Sequence, residues 1–180
     1  MLQGRRCDTV VDFFYTGPLD YLLFEGELAQ GSDKPPTLVI KRKPNEGLGQ
    51  TTWTGFGFMQ VYEGSTLTFR VPEIFRTMNY FPVIRFEHDE DHPVTWETVD
   101  VELVRHDATS DDYCEPTFDK QTVSLPSGES NVQLDAPFCL EKSQRYDIKL
   151  TFTQYNPNEP KGAKILIDAV SKSNPLNYTY

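Results

Sequence analysis

Along much of this chain, apolar and polar side chains alternate residue by residue in short segments. In "STLTFRVP", Leu67, Phe69 and Val71 fall on one face, and Thr66, Thr68 and Arg70 on the other. In "ETVDVELVR", Val99, Val101 and Leu103 alternate with Thr98, Asp100 and Glu102. In "RYDIKLTFTQY", Tyr146, Ile148, Leu150 and Phe152 alternate with Asp147, Lys149, Thr151 and Thr153. A period of two is the mark of a strand with one wet face. Weaker candidates are "DYLLFEGEL", "FMQVYEG", "NYFPVIRFE", "KQTVSL", "SNVQLD" and "KILIDAV". Turn-rich pieces such as "EGS", "LPSGES" and "YNPNEPKG" separate them. No long stretch holds a helical period. About eight to ten such segments predict an all-β fold, an antiparallel two-sheet β-sandwich of jelly-roll type.

At 180 residues the chain is expected to form one domain with a substantial core, and 13% aromatic content supports a packed interior. No linker, repeat or low-complexity tract interrupts it. The most loop-like stretch is "GSDKPPTLVIKRKPNEGLGQ". It carries Lys34, Lys41, Arg42 and Lys43, read as an exposed charged loop or as a contact for a small anion or glycan.

The formal charge of −10 sets the partner classes. An acidic surface repels phosphate backbones, so nucleic acid and anionic membranes are poor candidate partners, and cations or basic protein patches fit better. No apolar run is long enough for a membrane-spanning helix. The N-terminus "MLQGRRCD" lacks an apolar signal core, which leaves a cytosolic protein or an excised piece of a secreted one.

The candidate chemistry is concentrated in "HDEDH", residues 88–92. His88 and His92 have the spacing of a helical zinc protease motif. However, Asp89 stands where a general-base Glu is needed, a strand leads in, and Pro93 disfavours helix at His92. Asp89, Glu90 and Asp91 offer oxygens suited to calcium. Adjacent residues of an extended chain point to opposite sides, so such a site needs help from Asp107, Asp111 or Asp112. The plainer reading is a solvated loop. Glu25 and Glu27 form an i, i+2 pair of the kind glycosidases use, or two exposed positions on a strand edge. No nucleophile elbow, phosphate loop or dinucleotide fingerprint is present, so no enzyme is expected. Trp53 and Trp96 either pack in the sandwich or stack on sugar rings.

Three cysteines remain: Cys7, Cys114 and Cys139. No CxxC pair marks a structural zinc site. Cys114 and Cys139 are either two buried thiols or a disulfide, which would stabilise by roughly 3 kcal/mol on the loop-entropy estimate. Asn177, in "NYT", is the one N-glycosylation sequon and agrees with a secreted setting.

The middle of the chain carries a more specific pattern. "WTGFGFMQVYEGSTLTFRVPEIFRTMNYFPVIRFE" joins a Trp-Thr-Gly-x-Gly-Phe turn, a strand, a Glu-Gly turn, a second strand and a Met-x-Tyr segment that leads into a third. With "DYLLFEGEL" upstream, and "QTVSLPSG", "APFCLEKSQRYDIKLTF" and "ILIDAV" downstream, it resembles the laminin IV type B domain, also called the LF domain, of laminin β chains. The resemblance covers residues 7–170 of a single domain spanning 1–180, with a divergent C-terminal tail. It implies a β-sandwich similar to carbohydrate-binding modules, without catalytic residues or a cofactor. It implies a secreted glycoprotein of the basement membrane, assembled with other laminin chains in a heterotrimer and serving matrix structure and cell adhesion. Matrix proteins or glycans are further partners it suggests, with the isolated domain monomeric. The family's paired cysteines match Cys114 and Cys139. Cys7 matches a cysteine near the family's domain start, but none follows Cys139, which leaves Cys7 an unpaired or boundary thiol. The competing reading is a carbohydrate-binding module with calcium at Asp89, Glu90 and Asp91.

Overall fold

A computed structural model describes residues 2–3, 9–10, 22–41, 55–72, 74, 77–88, 95–106, 114, 120–154 and 163–173. Its strands are β1 (Leu2–Gln3), β2 (Thr9–Val10), β3 (Leu22–Glu25), β4 (Gln30–Gly31), β5 (Leu38–Lys41), β6 (Gly57–Tyr62) and β7 (Thr66–Val71). They continue with β8 (Met78–His88), β9 (Trp96–Arg105), β10 (Lys120–Leu125), β11 (Asn131–Gln133), β12 (Phe138–Leu140), β13 (Tyr146–Gln154) and β14 (Lys164–Ser173). The helical element among the described residues is a single 3₁₀ turn, Gly26–Leu28. All strand pairings between described residues are antiparallel.

Apart from the β1–β2 pair, two sheets make the fold. One runs β10-β9-β13-β7-β4; the other runs β11-β8-β14-β6-β5, with β12 also on β8 and β3 also on β14. The alternation explains why they face each other. Leu67 and Phe69 of β7, Val99 and Val101 of β9, and Ile148, Leu150 and Phe152 of β13 are buried in one cluster with Val61, Ile84, Phe86, Ile165 and Ile167 of the opposite sheet. Burying a large apolar side chain stabilises by about 1.5–3 kcal/mol, so a shared interior holds the sheets together. Trp96 is fully buried and meets Phe152 edge-to-face, ring centroids 5.7 Å apart, so its indole packs in the sandwich rather than offering a sugar platform. Trp53 lies outside the described residues.

Two features depart from the sequence reading. The loop-like stretch contains β5, which among the described residues pairs with β6 alone. "LVIK" does not alternate because an edge strand here has no face turned into the core. Leu38, Val39 and Ile40 are 49%, 46% and 37% exposed. The second departure is at Asp168. Ile167 lies opposite Phe86 and Ala169 opposite Arg85, so Asp168 is an extra residue bulged out of the β14–β8 ladder. A bulge re-aims a side chain, and here it buries a carboxylate whose Oδ2 lies 3.8 Å from Arg85 Nε.

Candidate functional site

The densest polar arrangement sits where β9 ends and β13 begins. Arg105 closes β9, and its guanidinium donates to Glu141 Oε2 in an ion pair. Glu141 is buried. Its other oxygen accepts the amide N–H of Cys114 at 3.0 Å, and its own amide N–H donates to Tyr146 Oη at 3.1 Å. Cys114 is joined to Cys139 of β12, with Cα atoms 5.8 Å apart. A charge removed from water requires compensating partners. Glu141 has a cation on one oxygen and a backbone donor on the other.

Beside this cluster opens a cavity of about 300 Å³ lined by Arg70, Val71, His106, Arg145, Tyr146 and Asp147. Strand pairing assembles it from distant parts of the chain. Arg70 stands opposite Asp147 in the β7–β13 ladder, and Val71 opposite Tyr146. The His106 amide N–H donates to the Arg145 carbonyl at 3.0 Å, which holds the end of β9 against the start of β13. His106 Nε2 lies 2.9 Å from Asp147 Oδ2, while Asp147 Oδ1 is buried without a hydrogen-bond partner among the described residues. Arg70 makes no ion pair among the described residues. Two arginines and a histidine thus line the cavity on a chain of net charge −10, while Asp147 Oδ1 is shut off from solvent.

A third polar arrangement surrounds Glu27, which is buried rather than exposed on a strand edge. The chain leaves β3 for the 3₁₀ turn at Gly26, so the i, i+2 relation of Glu25 and Glu27 is not that of a continuing strand. Glu27 Oε1 accepts the Phe56 amide N–H at 2.7 Å, and Oε2 is buried without a hydrogen-bond partner among the described residues. Two glycines allow the approach. A Cβ at Gly55 would fall 1.9 Å from Glu27 Oε1, and one at Gly26 would fall 2.1 Å from the Ile167 carbonyl oxygen. Among the described residues, no group of three or more His, Cys, Asp or Glu side chains is placed to hold a metal ion.

Residues 20–175 match the laminin IV type B domain family. The chain belongs to that family. It is 33% identical to mouse laminin subunit beta-1 over 157 residues, 84% of this chain and 8% of that protein. It is 27% identical to zebrafish (Danio rerio) laminin subunit beta-4 over 137 residues, 76% of this chain and 7% of that protein. This laminin IV type B chain thus spans less than a tenth of the length of these relatives. Among solved structures it is similar in fold to the Podospora anserina GH26-CBM35 β-(1,4)-mannanase, with a TM-score of 0.52, 17% identity, and coverage of 85% of this chain and 27% of that one.

Several residues singled out from the sequence of this laminin IV type B chain lie outside the described residues: Cys7, Asp89, Glu90, Asp91, His92, Asp107, Asp111, Asp112 and Asn177. His88 is described, and the structure does not offer its Nε2 to a metal. That nitrogen lies 2.8 Å from the Pro126 carbonyl oxygen, which can only accept, so Nε2 carries the hydrogen. Its ring stands edge-on to Phe86, centroids 5.3 Å apart. Sequence reasoning missed the Arg70–His106–Arg145–Asp147 cavity. The signal available was the outward assignment of Arg70 and Asp147 by alternation; their juxtaposition depends on the β7–β13 register.

Proposed function

We propose that this chain is a non-catalytic structural module of the extracellular matrix, secreted within a laminin β-type chain and built through that chain into a laminin trimer of the basement membrane. The family match over residues 20–175 carries the reading, and the identity to laminin β subunits supports it. The Cys114–Cys139 disulfide agrees with an oxidising, extracytoplasmic setting. Two sheets over one closed core, with Glu141 fixed between a guanidinium and the disulfide, suit a unit whose contribution is a persistent shape. It takes no cofactor for this role. Cell adhesion then belongs to the assembled trimer, to which the module lends spacing and surface.

The test is a domain exchange. Residues 20–175 replace the corresponding segment of mouse laminin subunit beta-1 in cells lacking that subunit, and trimer secretion and deposition into the matrix are quantified. Recovery to the level of the native subunit is the expected result. A chimaera that leaves the cell as a trimer but is absent from the matrix would refute the reading.

A further inference from the structure

We propose that the edge of β5 facing away from β6 docks an extended acidic segment of another protein, which joins the sheet as a further strand. Among the described residues the exposed large apolar side chains are Leu28, Leu38, Val39, Ile40 and Phe56, and they gather at this edge. Leu38, Val39 and Ile40 are the first three residues of β5. Phe56 directly precedes Gly57, which stands opposite Lys41 in the β5–β6 register. Glu27 Oε1 accepts the Phe56 amide N–H, which ties the 3₁₀ turn carrying Leu28 to the same place. Single exposed apolar residues are ordinary on a surface; a gathered set rimmed by charge marks an interaction site.

The backbone of β5 adds a second means of recognition. The strand pairs with β6 on one side, and no other described strand pairs with it. Strand amides and carbonyls point to both sides of a strand, so the outward set has no partner strand among the described residues. A segment laid along such an edge draws affinity from the main chain and specificity from alternate side chains. Leu38 and Ile40 offer one face to it, Val39 and Lys41 the other.

Charge selects the occupant. Lys41 closes β5, and the sequence continues Arg42-Lys43, on a chain of net charge −10. Lys34 and Lys41 are both exposed, and neither makes an ion pair among the described residues. Lysine on an edge discourages pairing with a like edge, and two copies at −10 repel each other. The same lysine attracts a strand that carries carboxylates. A sulfated polysaccharide would satisfy the lysines but would leave Leu38, Val39 and Ile40 uncovered. The occupant is thus a polypeptide in which apolar residues alternate with Asp or Glu.

The test is fluorescence anisotropy on the 180-residue chain with a labelled peptide alternating glutamate and valine, and with its lysine–valine counterpart. The glutamate peptide is expected to bind and to slow amide hydrogen exchange in β5, and the lysine peptide is expected not to bind. Lys41→Glu lowers the affinity by about tenfold or more, the size of one charge-assisted contact. Leu38→Ser lowers it several-fold. Arg70→Glu, the same charge change on the other sheet, leaves it unchanged. Melting temperatures confirm that each variant is folded, and Val39→Ser replaces Leu38→Ser where that one is not. The proposal is overturned if the glutamate peptide does not bind at millimolar concentration, if it binds without slowing exchange in β5, or if folded Lys41→Glu binds it like the wild type. It is also overturned if a heparin tetrasaccharide displaces the labelled peptide at lower concentration than unlabelled peptide does, which assigns the lysines to a polysaccharide. Sedimentation that finds the wild-type chain dimeric and Leu38→Ser monomeric overturns it in favour of a second copy. Binding is measured on the isolated chain, so its failure leaves the domain exchange standing, and failure of the exchange leaves the peptide titration standing.

Discussion

Glu141 Oε1 accepts the amide N–H of Cys114 at 3.0 Å, although the two residues are 27 positions apart in sequence. The disulfide and the Arg105–Glu141 ion pair are therefore one unit, because the half-cystine's own backbone helps satisfy the buried carboxylate. Glu141→Gln removes the charge that Arg105 faces and keeps an oxygen for Cys114. Breaking a buried pair costs about 3–5 kcal/mol, and the partial exposure of Arg105 brings this one below that range, to about 2–3 kcal/mol. Urea unfolding of the oxidised protein measures it. A double-mutant cycle with Cys114→Ser/Cys139→Ser is expected to be non-additive, since both changes disturb the same unit.

Gly26 stands where the 3₁₀ turn crosses the β14 bulge. A Cβ there would lie 2.1 Å from the Ile167 carbonyl oxygen and 2.9 Å from that of Asp168. Both obstacles are backbone, so no rotamer change relieves the overlap. Gly26→Ala is expected to destabilise by about 2 kcal/mol or more, in the range of overpacking effects. Gly128, whose added Cβ would meet nothing within 4 Å, is the control for crowding, although its φ of +93° still disfavours a side chain. Thermal denaturation of the two alanine variants checks the difference.

The Trp96–Phe152 contact lies in the core where β9 begins and β13 nears its end. Both side chains are fully buried, and their rings meet at 85°. Phe152→Ala is expected to cost about 3–5 kcal/mol, as a large-to-small change in a closed core does. It should also red-shift the Trp96 fluorescence as water reaches the indole. An unchanged emission maximum with full loss of stability would place the damage elsewhere.

Asp100 gives a pH-dependent contribution of known sign. Thr122 Oγ1 donates to its Oδ1 at 2.7 Å and Lys120 Nζ lies 3.0 Å from its Oδ2, so hydrogen bonding first, and the lysine second, hold the carboxyl below its ordinary 3.8. A lowered folded-state value means stability that is present above the unfolded value and is lost as pH falls through the folded one. Asp100→Asn is therefore expected to be less stable than wild type at pH 7, by under about 1 kcal/mol for a pair so near the surface. The gap closes in acid below 3.8. Stability curves at neutral and acid pH measure it.

The sandwich was legible because its inner strands obey a period of two. Leu67, Phe69, Val101, Ile148, Leu150 and Phe152 were assigned inward from pattern alone, and each is buried. What the pattern could not carry are the places where the backbone leaves the regular ladder. Glu27 looked outward because "FEGEL" reads as a continuing strand, whereas the 3₁₀ turn rotates it inward. Asp168 is buried by a bulge that exists only relative to β8. The cavity has the same origin: Arg70 and Asp147 belong to two strands and His106 follows the end of a third, and alternation says which way a residue faces without saying which strand lies beside it. The exposed β5 was hidden for the opposite reason, since an edge strand without a core face has no alternation to show.

The central claim is that the chain serves its parent protein through its folded shape. The most direct measurement takes the exchange chimaera with wild-type residues 20–175, or with Glu141→Gln, Gly26→Ala or Phe152→Ala, and compares laminin deposited in the matrix with the melting temperature of each segment. Deposition is predicted to fall in the order in which the segments lose stability, and Arg70→Glu, which alters the surface alone, is predicted to deposit like the wild type. Full deposition by a variant whose segment is unfolded at the culture temperature would contradict the claim.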